Sequence, residues 1–332
     1  MRKEDNIISK VWIEEGAKSF TEKEAAQALP VRPFDGHKGT FGKVCIIGGS
    51  VGLTGAPVLA AGAAARTGSG LVYLGVPGEI YPITATMCLE AMPFPLKGSK
   101  GMLSGEAIFG ILERINTCDA GLIGPGMGRS QELEILVRLL LEQVEAPLVI
   151  DADALYAIRK NKKAIKDRSK KGRITILTPH EGEFAYLGGQ LTKYQAGNQD
   201  PKIQAERNRE RIQAAKSFAR DHGCILVLKG PNTVIAAPNR SIWINTTGNN
   251  GMAKGGSGDI LAGIITSLLG QHLEPTTAAA LAAWIHGHAG DLCQKELGEF
   301  GMLPQDILKQ LPAAIYSLQK NTQKNQEATH NN

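Results

Sequence analysis

The chain has 332 residues, 42% of them hydrophobic and 21% charged, with no apolar run of membrane-spanning length, so the composition predicts a soluble globular protein. Five widely spaced cysteines without a CxxC pair, and an N-terminus without a signal-like apolar core, argue against a disulfide framework or a structural zinc site and predict a cytoplasmic protein. Much of the formal net charge of +5 sits in "RKNKKAIKDRSKKGR" (159–173), which reads as a solvated surface helix and loop, not as a nucleic-acid-binding face.

Taken in chain order, continuous apolar runs closed by Gly, Pro or Asp predict buried strands at 43–49, 71–77, 120–126, 147–153, 174–179 and 224–230. Helical patterns lie between several of them, at 56–68, 130–144 and 205–223. The rhythm of strand, helix, strand implies one α/β domain with a mostly parallel sheet and helices on both faces. After 230 the pattern changes to a hairpin over 233–247, turning at Pro238-Asn239-Arg240, and then to helices at 259–269, 276–297 and 304–318. The polar segment 188–204 reads as an exposed loop. We divide the chain into an N-terminal extension (1–25), one domain (26–318) and a disordered tail (319–332) with nothing to bury.

Open α/β sheets bind ligands outside the carboxyl ends of their strands. Here those ends carry Gly48-Gly49-Ser50, the glycines of 124–128, Asp151-Ala152-Asp153, Pro179-His180-Glu181 and Lys229-Gly230. Further on, five glycines crowd into the fourteen residues before Asp259, in "NTTGNNGMAKGGSGD", and Ile260, Leu261, Ile264, Ile265, Leu268 and Leu269 follow at helical spacing as far as a stop at Gly270. Gly255, Gly256, Ser257 and Gly258 therefore stand at a helix N-terminus, whose unpaired N–H groups and dipole favour an anion such as phosphate. Asp259 taken alone could be a helix cap, but a cap needs none of those glycines. Beside an anion hole, a carboxylate can take a hydroxyl proton while the amides hold the charge on a transferred phosphoryl group. Neither GxGxxG nor GxxxxGK[ST] is present, since Arg129 and Val44 break the nearest matches.

The glycine motif resembles the ribokinase-like superfamily. Seven segments in order, "HKGTFGKVCIIGGS", "TGAPVLAAGAAARTGSGLV", "GPGMG", "DADAL", "TPHEGEF", "LKGPNT" and "GNNGMAKGGSGD", resemble the NAD(P)H-hydrate dehydratases across roughly 37 to 290. The resemblance implies a ribokinase-like fold and dehydration of the S form of 6-hydroxylated NADH or NADPH, by phosphorylation of the C6 hydroxyl from ADP or ATP and loss of phosphate. It implies Asp259 as base with Gly256, Ser257 and Gly258 as the anion hole. Ala56, Gly126, His180 and Asp259 would contact the hydrated dinucleotide, and Lys229, Gly230, Pro231, Asn232, Thr233 and Gly258 the adenylate part of the donor. It also implies Mg²⁺, a homotetramer and, because only about thirty-six residues precede the first motif, a separate epimerase for the other epimer.

The residues themselves leave alternatives open. His180 reads either as a ring that stacks or donates to substrate, or as a buried structural histidine; Lys229 reads as a phosphate partner or a turn lysine. Asp151, Asp153, Glu181 and Glu183 are candidates to support Mg²⁺, or plain helix-start acids. His37 and Lys38 could touch substrate phosphates. His286 and His288, two apart on a helix, do not share a face and are not expected to pair on a metal. Asn250 and Lys254 depart from the family pattern, and Lys254 could alter how donor phosphates are held. The rivals are a kinase of the same superfamily acting on a vitamin precursor or sugar, which the 37–42 and 178–184 motifs disfavour, and an adenylate-binding sensor, which an intact Asp259 disfavours.

Overall fold

The computed structural model describes residues 3–193, 197 and 200–330. Helix α1 (Lys3–Glu14), strand β1 (Lys18–Ser19) and α2 (Glu22–Ala28) come first, in a region where apolar periodicity is too short to announce them. Capping chemistry does mark α2: the Thr21 side chain accepts from the Glu24 amide while Glu24 reaches back to the Thr21 amide. The first half of the sheet is built from β2 (Lys43–Ile47), α3 (Gly55–Arg66), β3 (Leu71–Pro77), α4 (Tyr81–Met87), β4 (Met92–Leu96), a small hairpin of β5 (Gly98–Ser99) and β6 (Met102–Leu103), and α5 (Ala107–Ile115). Then follow β7 (Ala120–Ile123), α6 (Gln131–Gln143), β8 (Leu148–Ile150), α7 (Asp153–Ala157), α8 (Lys163–Lys170), β9 (Thr175–Leu177), α9 (Glu181–Tyr186) and α10 (Pro201–His222). The chain closes with β10 (Ile225–Leu228), β11 (Thr233–Ala236), β12 (Ile242–Asn245), α11 (Ser257–Gly270), α12 (Pro275–Gly301) and α13 (Pro304–His330).

Ten strands form one sheet in the order β1-β12-β11-β10-β9-β8-β7-β2-β3-β4, and β11 alone runs antiparallel to its neighbours. Alternation along each strand sends side chains to two cores, as a doubly covered sheet requires. Val44, Ile46, Leu122, Val149 and Val227 meet the apolar faces of α3, α11 and α12 on one side. Cys45, Ile47, Ile123, Ile150 and Leu228 meet α5, α6 and α10 on the other. Between β2 and β7 the winding reverses, because β3 and β4 extend the sheet one way and β7 the other. That is where a crevice opens at the carboxyl edge.

Several local expectations shift. The stop of α11 comes one residue later than Gly270, at Gln271 and His272, the latter in left-handed conformation. Gly270 is small for a different reason, since a Cβ there would lie 2.5 Å from Val44 of β2. Helix α10 begins at Pro201 behind an Asp200 cap, so the loop expected over 188–204 loses its last residues to the helix; residues 194–196, 198 and 199 lie outside the described residues. Residues 319–330 continue α13, being free of Gly and Pro, and residues 331 and 332 lie outside the described residues. The basic run 159–173 is not wholly solvated either. Arg168 is 1% exposed and donates to the carbonyls of Leu141, Val144, Ala146 and Ile174, a structural use that charge counting does not reveal.

Candidate active site

Backbone hydrogen bonds stitch the strand ends side by side along the carboxyl edge. Gly124 donates to Ile47 (3.1 Å), Asp151 to Ile123 (3.1 Å), Thr178 to Ile150 (3.2 Å) and Lys229 to Pro179 (2.8 Å). Five separate stretches of sequence thus share one ledge. Their close approach depends on missing side chains: a Cβ on Gly124 would lie 1.8 Å from the Asp151 carbonyl oxygen, and one on Gly126 would lie 2.7 Å from the Leu53 carbonyl and 3.2 Å from Ala56. Gly126 and Ala56, far apart in sequence, are therefore neighbours.

Helix α11 brings Asp259 to this ledge. It can cross close to α3 because Gly263 lies against the Ala60 carbonyl, where a Cβ would sit at 2.2 Å. Gly256 caps the helix in left-handed conformation (φ 103°), with Leu59 of α3 and Pro304 packed against its Cα. Leu59 is one helical turn beyond Ala56, so the glycine turn at the start of α11 and the Ala56–Gly126 contact adjoin. The first turn is further held from behind: Ser257 Oγ lies 3.2 Å from Nε2 of buried His286 on α12. Burial, helped by the nearby Lys229 charge, pushes that imidazole down to about 4, so it is neutral at physiological pH. Asp291, also on α12, accepts from the Gly248 amide and the Asn249 side chain and anchors the start of the glycine stretch. His286 and Asp291 carry no motif signal; only their partners' positions in the fold reveal them.

The charges around Asp259 form a compact set. The ammonium of Lys229 lies 2.9 Å from Asp151 Oδ1 and 3.5 Å from Glu183 Oε2, and Asp151 is only 1% exposed. Burial works to lower Lys229, but Asp151 and Glu183 outweigh it and hold the ammonium protonated. A Cβ on Gly258 would meet Lys229 Nζ at 3.2 Å, which places the lysine head against the first turn of α11. Asp259 itself is pushed up to about 7, by burial first and by the Asp151 carboxylate next, with Lys229 opposing. A carboxylate that titrates near neutrality is suited to general-base work.

Lys229, Gly258, Asp259 and Asp151 are thus brought together, and the 230–233 loop continues from Lys229. There Thr233 Oγ1 donates to the Gly230 carbonyl (2.9 Å), and Asn232 adopts left-handed φ (54°). His180 is 60% exposed, not buried, and caps α9: its Nδ1 accepts from the Glu183 amide at 3.2 Å, and its Nε2 lies 3.5 Å from Glu183 Oε2. The alternative of a buried structural histidine is thereby removed. Its backbone pairs alongside Lys229, so it flanks the same ledge.

Other candidates separate. Asp153 is occupied by Arg129 (3.1 Å) and the Gly128 amide (3.0 Å), and Glu181 by Arg207 (3.0 Å) and Arg211 (3.3 Å). His37 and Lys38 precede β2 and pack by Gly70, ahead of β3, at the amino edge of the sheet, opposite the ledge. Lys254 donates to the carbonyls of Phe300 and Met302, both at 2.7 Å, and so ties the glycine stretch to the end of α12 instead of reaching donor phosphates. His286 and His288 diverge as their spacing predicts, the second lying 4.7 Å from the ring of Trp284. Among the described residues no group of three His, Cys, Asp or Glu is arranged to hold a metal ion, and Asp151 and Glu183 are already engaged by Lys229. These residues do not form a protein-only metal cage. Cavities of about 400 and 520 Å³ lie between α6 and the 159–161 turn and between α3 and α13.

A family profile described as NAD(P)H-hydrate dehydratase matches residues 44–313. The bifunctional NAD(P)H-hydrate repair enzyme of Moorella thermoacetica is 42% identical over 293 residues, which cover 88% of this chain and 52% of that protein. The chain therefore spans about half the length of such bifunctional relatives. The ADP-dependent (S)-NAD(P)H-hydrate dehydratase of Neisseria meningitidis is 34% identical over 278 residues, covering 83% of this chain and 86% of that one. Among solved structures, the ADP/ATP-dependent NAD(P)H-hydrate dehydratase of Bacillus subtilis, co-crystallised with ATP and Mg²⁺, superposes with a TM-score of 0.74 at 28% identity, covering 91% of this chain and 99% of that one.

Proposed function

The chain belongs to the NAD(P)H-hydrate dehydratase family, and on that premise we propose that it dehydrates the S form of 6-hydroxylated NADH or NADPH at the expense of ADP or ATP. The observation that carries this reading is Asp259: a carboxylate titrating at about 7, in the first turn of a glycine-capped helix, with the Lys229 ammonium against the same turn. In the proposed reaction, ionised Asp259 takes the proton of the C6 hydroxyl as that oxygen attacks the donor's terminal phosphorus. The bond to the bridging oxygen breaks, releasing AMP from ADP or ADP from ATP. Amides of Gly256, Ser257 and Gly258 hold the migrating phosphoryl, aided by the helix dipole. The C6–O bond then breaks with its electron pair leaving on phosphate, the neighbouring ring carbon loses a proton, and the ring double bond returns.

Ala56 and Gly126 offer a small-residue surface on which a flat ring can pack, with the exposed His180 ring flanking the same ledge. The loop Lys229–Thr233 would hold the adenylate part. Mg²⁺ in this reading enters with the nucleotide's phosphates as part of the substrate, which fits the ATP and Mg²⁺ used with the Bacillus subtilis relative. ADP is the preferred donor by likeness to the Neisseria meningitidis enzyme. The bifunctional relatives suggest that an epimerase supplies the S form. We further propose a homotetramer, and a reducing compartment such as the cytoplasm, in keeping with five unpaired cysteines.

Incubation with hydrated NADH, Mg²⁺ and either nucleotide tests the proposal through the dihydronicotinamide absorbance. Recovery with one nucleotide only identifies the donor, and no recovery with either removes the reading. Accumulation of a stable phosphorylated hydrate would favour a kinase of the same fold.

A further inference from the structure

The loop proposed to hold the nucleotide is shaped from behind by a single buried guanidinium. Arg211 of α10, 3% exposed, donates through Nη2 to the carbonyls of Leu228 (3.0 Å) and Lys229 (3.3 Å), and through Nη1 to those of Pro231 and Asn232 (3.2 Å). Four carbonyls in five consecutive residues thus face one cation. A peptide plane that turns its oxygen inward turns its N–H outward, so the Asn232 amide, which follows the Pro231 carbonyl, faces away from Arg211. The backbone conformation needed for this is unusual, with Gly230 at φ 147° and Asn232 at φ 54°. A Cβ on Gly230 would lie 2.9 Å from Arg211 Nη2, so the glycine is part of the same fit. One turn earlier on α10, buried Asn208 accepts from the Asn232 side chain at 3.4 Å. Glu181, in the residue after His180, lies 3.3 Å from Arg211 Nε and supplies the counter-charge. Burial lowers Arg211 to about 10, with Glu181 opposing, so it remains a cation under ordinary conditions.

We propose that Arg211 is the positioning residue of the phosphoryl-donor loop: its guanidinium turns the carbonyls of Leu228, Lys229, Pro231 and Asn232 inward and thereby presents Lys229 and the outward amide to the nucleotide. This deepens the function proposed above and rests on it for the identity of the ligand. Arg168 provides an internal control. It is also buried and bound to four carbonyls, but these belong to the last turn of α6, the loop after it and the residue before β9, away from the ledge.

The test compares Arg211→Lys, Glu181→Gln and Arg168→Lys in the full chain by calorimetric ADP titration, by KM for ADP and for the hydrate, and by thermal unfolding. Lysine keeps the charge but reaches fewer carbonyls. Arg211→Lys is expected to weaken ADP binding about 10-fold or more, to raise the KM for ADP in step, and to leave the KM for the hydrate unchanged. Glu181→Gln is expected to do the same to a smaller, few-fold extent, and it decides the matter if Arg211→Lys does not fold. Arg168→Lys is expected to lower the unfolding temperature without moving ADP affinity. ADP affinity unchanged in folded Arg211→Lys, or unchanged in Glu181→Gln when the lysine variant fails to fold, overturns the inference, as does an equal loss in Arg168→Lys. Wild-type protein that binds neither ADP nor ATP would instead bring down the functional reading on which it rests.

Discussion

A carboxylate can be a helix cap or a base, and Asp259 is separated from the first role by its electrostatics. Burial and the Asp151 carboxylate raise it to about 7 while Lys229 restrains the rise. As a general base it must be ionised, so kcat/KM is expected to fall as pH drops below about 7, with a single acidic limb in a pH–rate profile; Asp259→Asn should remove that limb. The same variant is expected to turn over at least ~100-fold more slowly while still binding ADP by calorimetry. Stability carries the opposite sign. Because the folded value lies above the unfolded one, the native state binds the extra proton between roughly pH 4 and 7, and this contribution to stability is lost as pH rises through that window. Asp259→Asn should therefore unfold at a higher temperature than wild type at pH 8, by up to about 4 kcal/mol, and show little difference near pH 4. A variant equally active, or destabilised at pH 8, would contradict the assignment. The motif pointed to Asp259; its companions Asp151, Lys229 and Glu183 lie in three further motifs, and only the fold shows that they form one charge set.

Within α11 and its leader, the glycines divide by task. Gly256 is constrained twice, by its left-handed φ of 103° and by Leu59 at 2.8 Å from where a Cβ would go. Gly256→Ala is expected to cost about 1–3 kcal/mol of stability together with activity, read from denaturant unfolding and kcat. Gly258 is at ordinary φ and its Cβ would meet only the flexible end of Lys229, at 3.2 Å. Gly258→Ala should therefore fold with near-normal stability and fail chiefly in nucleotide use, with the KM for ADP raised severalfold. If both alanine variants lost stability equally, the phosphate-holding role of Gly258 would have no support. Spacing alone does not tell these glycines apart, nor that Gly263 and Gly270 serve helix packing, because each answer depends on what lies opposite in space. Lys254 gives the same lesson from a charged residue: its ammonium is spent on the carbonyls ending α12.

Across the whole molecule, the parallel rhythm of strands and helices read from the sequence matches the ten-stranded sheet, and the carboxyl-edge rule led to the ledge where Lys229, Asp151, Glu183 and Asp259 meet. Supplied with an epimer mixture of the hydrate, the protein is expected to restore absorbance only until the S form is spent, and to resume when an epimerase is added; complete recovery without one would refute the stereochemical part of the proposal. The proposed tetramer is checked by light scattering on the eluting protein. Residues before 26 contribute β1, paired parallel with β12 at the sheet's edge, and no periodicity in so short a strand could have announced that pairing. What the sequence determined by itself is local and periodic: apolar runs closed by Gly, Pro or Asp mark the buried strands, and the glycines before Asp259 and the apolar run that follows mark a helix start. The tertiary structure decided what depends on distance between remote residues. It set Asp151 against Lys229, turned His180 out to solvent, sent His37 and Lys38 to the far edge of the sheet, and buried Arg211 behind the 228–232 loop. Charge coupling and steric fit act through space, and a one-dimensional pattern carries no measure of that separation.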